Sequence, residues 1–244
     1  DLCPTDNLSR AFSHGGYFIM KNRNNYVIID CGDVGARGRG GHGHNDLLSV
    51  EVTLEGDDLI VDRGSDLYTA SPVRRIESIS SRSHNAAIID RSESAPIKDY
   101  DIPKPGRTDY RVVEWSCTAE VDTFEGESFA WRHLGIIYRR RIKFLKQRGR
   151  VEIIDQFDGN GMHKVAVRFY LAPEVNVAKV FRNECIVASP SGHQYRFSCD
   201  GDGEWRLQLV NVFPRYGVEA KSTLLIWESQ SRLPLQLRFV LTPE

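Results

Sequence analysis

The densest chemistry in this chain lies between residues 35 and 91, where histidines and a carboxylate stand at the ends of short apolar runs. A glycine-rich approach, Gly35-Ala36-Arg37-Gly38-Arg39-Gly40-Gly41, leads into His42-Gly43-His44. Asp62 closes the run Leu59-Ile60-Val61, and Ser83-His84-Asn85 opens the run at 86–90. Glycine lets the backbone take positive φ and approach another group closely. On an extended segment His42 and His44 would project to the same side. A hairpin turning at Gly56 would bring Asp62 back beside them. Two imidazoles and a carboxylate from adjacent strand ends form the donor set zinc takes, with a fourth position left to water. The same groups suit acid–base work, because imidazole titrates near neutrality. The residues alone leave metal binding, catalysis and a structural role open.

Other readings of this segment fail on detail. A phosphate-binding P-loop needs Lys-Ser/Thr after its glycines, and none follows. Arg-Gly-Gly nucleic-acid segments repeat, whereas Arg37-Gly38-Arg39-Gly40-Gly41 occurs once. A cupin-type metal barrel also opens on H-x-H but wants a glutamate soon after, and Glu51 lies seven residues beyond His44.

The elements that must position these groups read as strands. Apolar or alternating runs occur at 16–20, 26–31, 47–54, 59–62, 86–90, 111–121, 135–145, 150–154, 164–171, 194–197, 205–212, 223–227 and 235–241. Val, Ile, Tyr, Phe and Trp dominate them, and turn chemistry such as Glu55-Gly56-Asp57 and Gly159-Asn160-Gly161 separates them. One short helical turn fits at 73–79. The stretch 90–109 holds three of the ten prolines and reads as a long surface loop. The expectation is all-β: a single domain over 1–244, built as a large antiparallel β-sandwich.

Composition agrees with a globular chain: 244 residues, 41% hydrophobic and 27% charged. With 32 Lys+Arg against 33 Asp+Glu the net charge is −1, so no global field favours nucleic acid or an anionic membrane. Any anion site must be a local cluster. No apolar run approaches the ~20 residues of a membrane helix. The start at Asp1, without Met or a signal pattern, reads as processed or truncated. Five cysteines without C-x-x-C spacing indicate neither a zinc knuckle nor a disulfide framework, and most read as buried apolar residues.

Three blocks stand in a specific order: G-G-H-G-H-N-D-L-L-S-V-E-V (40–52), L-I-V-D-R-G-S-D-L-Y (59–68) and R-S-H-N-A-A-I-I-D (82–90). Weaker matches follow at Gly16-Tyr17-Phe18, Ile29-Asp30-Cys31-Gly32, 139–144, Ile154-Asp155 and Gly161-Met162-His163. On these residues the chain resembles the C-terminal β-sandwich domain of the heparinase II/III-like polysaccharide lyases, over about two-thirds of its length.

The resemblance implies an α/α toroid preceding the sandwich and an acidic polysaccharide in the cleft between them. It implies β-elimination: the uronate carboxylate is neutralised, a base takes the C5 proton, and an acid protonates the departing O4. It also implies zinc held by His44, Asp62 and His84, with His42 facing substrate and Tyr68 touching it. Asp46 is then a hydrogen-bonding support of the loop. Cations for the carboxylate would come from Arg37, Arg39, Arg63, Arg74, Arg75 and Arg82, at least half of them solvated or paired; Arg75 and Arg82 are the expected substrate contacts. The polymer would be a heparin-like glycosaminoglycan, alginate or a bacterial exopolysaccharide, met in the periplasm or outside the cell. The family's catalytic tyrosine, a further histidine and a substrate asparagine belong to the toroid, and Tyr100, Tyr110 and Tyr138 sit in no matching motif. The isolated piece is therefore expected to bind zinc but turn over substrate poorly. The alternative is a non-catalytic module that grips acidic glycan and uses zinc as a fastener.

Overall fold

The structure is a computed structural model that describes residues 8–35, 42–68, 70–98, 102 and 110–244. Cys3, Arg37, Arg39 and Tyr100 lie outside the described residues.

The described chain runs through β1 (Arg10–Phe12), β2 (Tyr17–Asn22), β3 (Asn25–Asp30), β4 (Val50–Leu54), β5 (Asp57–Ile60), α1 (Pro72–Ile79) and β6 (Ala87–Ile89). It continues with β7 (Tyr110–Cys117), β8 (Val121–Ser128), β9 (Ile137–Leu145), β10 (Arg150–Asp158), β11 (Met162–Tyr170) and β12 (Asn176–Val180). β13 (Glu184–Ala188), β14 (Gln194–Asp200), β15 (Glu204–Arg215), β16 (Val218–Arg232) and β17 (Leu235–Pro243) complete it. All named strand pairs are antiparallel. They form a five-stranded sheet β1-β2-β3-β4-β5, an eight-stranded sheet β12-β13-β14-β17-β10-β9-β8-β7 and a four-stranded sheet β15-β16-β11-β6. A bridge between Ile60 and Leu171 joins the five- and four-stranded sheets, and Val61 N donates to Tyr170 O at 2.9 Å beside it.

Alternation of side chains explains the layering. β9 and β10 each bury every second residue, as strands with one core-facing side must. Phe18, Val52, Phe144, Ile153, Val167, Phe169, Trp227 and Phe239, drawn from all three sheets, meet in one core. The architecture is the expected β-sandwich. Among the described residues no helix is long and apolar enough to cross a membrane.

Three local outcomes differ from the sequence reading. The run 111–121 is two strands, because Thr118 Oγ1 accepts from Val121 N at 2.9 Å and turns the chain between β7 and β8. β1, β12 and β13 were not legible: β1 and β12 are short and largely exposed, so neither carries a full apolar face. Cys117 is disulfide-bonded, whereas Cys31, Cys185 and Cys199 are free and buried as expected. The helical turn at 73–79 is present as α1. Pro72 opens it, Ser71 caps it, and Arg75, Ser78 and Ile79 form its buried face at helical spacing.

Candidate functional site

The β4–β5 hairpin returns the chain to Asp62 as expected, with Thr53 opposite Asp58 and Leu54 opposite Asp57. Just beyond it Gly64 takes φ +73° and passes so close to β15 that a Cβ there would lie 2.2 Å from Phe213 O. Only glycine fits that crossing. The turn also aims Asp62: its Oδ1 accepts from Gly64 N at 2.9 Å, and its Oδ2 lies 2.6 Å from His84 Nδ1.

His84 is 1% exposed and sits between the 3-10 turn Ser81–Ser83 and β6. Burial alone would push its pKa down, but Asp62, with Asp46 and Asp30 behind it, raises it to about 9. Burial pushes Asp62 up, yet the His84 charge and hydrogen bond hold it below the ordinary carboxylate range. An ionised carboxylate only accepts, so His84 Nδ1 carries the hydrogen. Its other nitrogen, Nε2, is buried with no hydrogen-bond partner.

His84 also belongs to a donor set. One ligand atom from each of His44, Asp46 and His84 lies within 4.8 Å of the others, and the His44 and His84 rings are 5.2 Å apart. Burial, with His84 and Arg75 nearby, lowers the His44 pKa to about 4, so its ring is neutral at pH 7. Burial likewise pushes Asp46 up to about 6. Zinc would displace the Nε2 proton of His84 and the proton or the Arg75 hydrogen bond on the ligating nitrogen of His44, and two such imidazoles with the Asp46 carboxylate are a donor set that zinc accepts. The residues therefore fit a metal. The grouped carboxylate is Asp46, the residue read as a loop support, while Asp62 is committed to His84 and Gly64. A carboxylate behind a ligating histidine is the usual arrangement for fixing its tautomer.

The two histidines of the H-x-H part company, contrary to the extended geometry expected. His42 takes φ +62°, which breaks the alternation, and its ring is exposed. It stacks on Tyr68 at 5.0 Å with an 18° interplanar angle. Arg75, only 3% exposed, places its guanidinium carbon 4.5 Å from the centre of the Tyr68 ring. Its Nη1 donates to His44 Nε2 at 3.1 Å and its Nη2 to Gly43 O at 3.4 Å. A continuous path, His42–Tyr68–Arg75–His44–His84, thus joins the exposed His42 ring to the half-buried and buried donors.

Arg82 stands apart: exposed, it bonds to none of these side chains and lines two cavities on the four-stranded sheet. Arg63 and Arg74 are paired, with Glu77 at 3.0 Å and with Asp66 respectively.

Sequence reasoning missed the supports beneath the site. Arg140 and Asp155 form a buried ion pair at 2.7 Å, joined by Tyr138 Oη on Asp155 at 2.9 Å. Arg140 Nη1 also donates to Leu48 O at 2.8 Å and Asn85 O at 2.6 Å, tying the loop after Asp46 to the residue after His84. Asn85 completes the knot, donating to Val50 O and Val61 O and accepting from Tyr170 N. The available signal was an arginine at a core-facing position of an alternating strand, opposite Asp155 in the next one.

Comparisons with known proteins agree with this architecture. The family model described as "Heparinase II/III-like, C-terminal" matches residues 4–239. A search of curated protein sequences finds no match. Among solved structures, the heparan sulfate lyase from Pedobacter heparinus superposes with TM-score 0.81 at 15% identity, covering 98% of this chain and 36% of that one. A heparinase III superposes with TM-score 0.77 at 14% identity, covering 97% and 37%. At such identity the superpositions speak for the fold, and the chain spans little over a third of each lyase. Since the family model covers nearly its whole length, the chain belongs to the heparinase II/III-like C-terminal family.

Proposed function

We propose that this chain is the sandwich portion of a polysaccharide lyase that cleaves a uronic-acid-containing polymer by β-elimination, completed by a helical toroid. The observation that carries the reading is the coupling of the exposed His42, stacked on half-buried Tyr68, through Arg75 to the half-buried His44 and Asp46 and the buried His84. His42 is the exposed imidazole of this path, suited to moving a proton at the sugar or facing its carboxylate. Tyr68 presents the ring that substrate would meet beside it. Arg75, spent on His44 and Gly43 and packed under Tyr68, acts on substrate through those neighbours. It is a positioning residue.

Zinc would be held by His44, His84 and Asp46, with Asp62 either orienting His84 or joining the ligands. When bound, it would fasten the histidine loop to the entry of β6 and so hold His42 in place. The polymer is favoured as a heparin-like glycosaminoglycan, since structurally similar proteins include a heparan sulfate lyase. The Cys117 disulfide supports an oxidising compartment, the periplasm or the exterior.

The test is the ultraviolet absorbance of unsaturated uronate released by the full-length protein from heparan sulfate, heparin and alginate. His42→Ala should lower kcat roughly 10²–10⁴-fold, the usual span for a proton-transfer group, while zinc content stays unchanged. The 244-residue chain alone should show little or no turnover. Wild-type full-length protein that releases no unsaturated product from any uronate polymer contradicts the proposal and favours the binding-module alternative.

A further inference from the structure

Side chains on β11 alternate between two environments. Val165, Val167 and Phe169 enter the main core, whereas Ala166, Arg168 and Tyr170 point to the opposite face of the four-stranded sheet. There two cavities of about 190 and 690 Å³ flank the turn Ser81–Ser83, and Arg82 and Arg168 line both. The larger also receives Arg63, Arg74 and Lys221 but only one acid, Glu77.

Most of this charge is already used. Arg63 is held by Glu77, Arg74 by Asp66, and Lys221 Nζ donates to Asn211 Oδ1 at 2.6 Å. In the smaller cavity Glu228 is taken by Arg206 at 2.7 Å and Lys164 at 3.5 Å. Arg82 approaches Glu93 only to 3.9 Å, and Glu93 is already satisfied by Ser80 Oγ, Ser81 N and Asn45 Nδ2. Arg168 and the exposed Arg91 are the exceptions: among the described residues no carboxylate pairs with either, and the Nε of Arg168 is buried without a hydrogen-bond partner. A buried donor left unsatisfied is costly, and a guanidinium satisfies it best with a planar or tetrahedral oxyanion. The larger cavity is far roomier than one small ion needs and matches the size of a ligand cleft. Gln208 and the exposed Leu209 beside the cations offer a surface for a sugar ring.

We propose that this groove is a second anionic-sugar subsite, separate from the histidine cluster, in which Arg168 and Arg82 grip one sulfate or carboxylate of an acidic polysaccharide. The proposal rests on the acidic-polysaccharide reading above for its ligand but not on the lyase chemistry.

The test is calorimetric titration of the chain with a heparan sulfate hexasaccharide and, separately, with inorganic sulfate. Arg168→Gln and Arg82→Gln should each weaken hexasaccharide binding roughly tenfold, the loss of one charged hydrogen-bonded contact, and reduce its salt dependence. Arg168→Lys, which keeps the charge and loses the fork, should fall between. Zinc content and melting temperature are followed in parallel, and the exposed Arg82 keeps the test valid if Arg168 variants fold poorly. No hexasaccharide binding by the wild type, or unchanged binding in the Arg82 and Arg168 variants, overturns the proposal. Inorganic sulfate binding as tightly as the hexasaccharide also overturns it, as a free-anion site. Failure of the lyase reading is distinguishable: hexasaccharide binding that depends on Arg168 without unsaturated product leaves this subsite standing.

Discussion

Two buried polar clusters lie side by side in the sandwich, and they are finished differently. Around Arg140, each charge has its answer: Asp155 on the guanidinium, Tyr138 on Asp155, and two backbone carbonyls on the remaining donor. Around His84, Asp62 and Gly64 complete one side, and the ring's other nitrogen has nothing. Burial of a polar group is tolerated when it is satisfied and costly otherwise. The first cluster is therefore a structural knot, and the second is shaped for something that brings its own charge. Arg140 links the two by holding the backbone on which His84 and the end of the histidine loop stand.

The contrast breaks first at the knot. Asp155→Ala leaves a fully buried guanidinium unpaired and should destabilise the chain by about 3–5 kcal/mol, read from chemical denaturation, with added zinc failing to restore it. A loss below about 1 kcal/mol, the scale of an exposed pair, would show that the knot is not what holds the loops. Asp46→Asn and Asp62→Asn sharpen the contrast within the site. A carboxylate behind a ligand typically contributes 10–100-fold in metal affinity, so Asp62→Asn should weaken zinc by that range and Asp46→Asn by more. The reverse order, measured by competition with a chelator, would make Asp62 the ligand and Asp46 the support.

The smallest effect is expected at the surface. His163 Nδ1 lies 2.7 Å from Asp90 Oδ2, and that bond raises the histidine pKa and lowers the aspartate's. A histidine raised on folding contributes stability that is complete below its unfolded pKa, about 6.5, and is lost as pH rises through the higher folded value. Asp90, depressed on folding, contributes above its unfolded pKa and loses that contribution in acid. Melting temperature of the metal-free chain should therefore fall as pH climbs from 6 to 8, mostly through His84, whose folded pKa of about 9 also lies above its unfolded value, and His163→Gln should remove a small part of that slope. An unchanged slope would assign the pH dependence elsewhere.

Much of this was legible in the sequence for physical reasons. Alternating apolar runs and turn residues announced an all-β chain, and the hairpin around Gly56 predicted that Asp62 returns to the histidines. That His44 and His84 share a site was implied by the family resemblance rather than by alternation or turn chemistry. What failed was geometry that alternation does not encode. The left-handed backbone at His42 separated the two rings of the H-x-H, and nothing in a His-Gly-His string announces a positive φ on its first histidine. Asp46 stands at a tight turn in which Ser49 N donates to Asp46 O and Leu48 takes φ +65°, and the carbonyl of Leu48 is held by Arg140 from far along the sequence. Arg75 was read as a substrate contact, while burial on α1 turns it inward to Tyr68 and His44.

The central claim is that the open side of the His84 cluster is a metal site. Its most direct test is the zinc content of the purified chain and its alanine variants, measured by elemental mass spectrometry after dialysis. The account predicts stoichiometric zinc in the wild type and in His42→Ala, and its loss in His44→Ala and His84→Ala. Zinc content unaffected by His84→Ala, or no affinity for zinc in the wild-type chain, would contradict it.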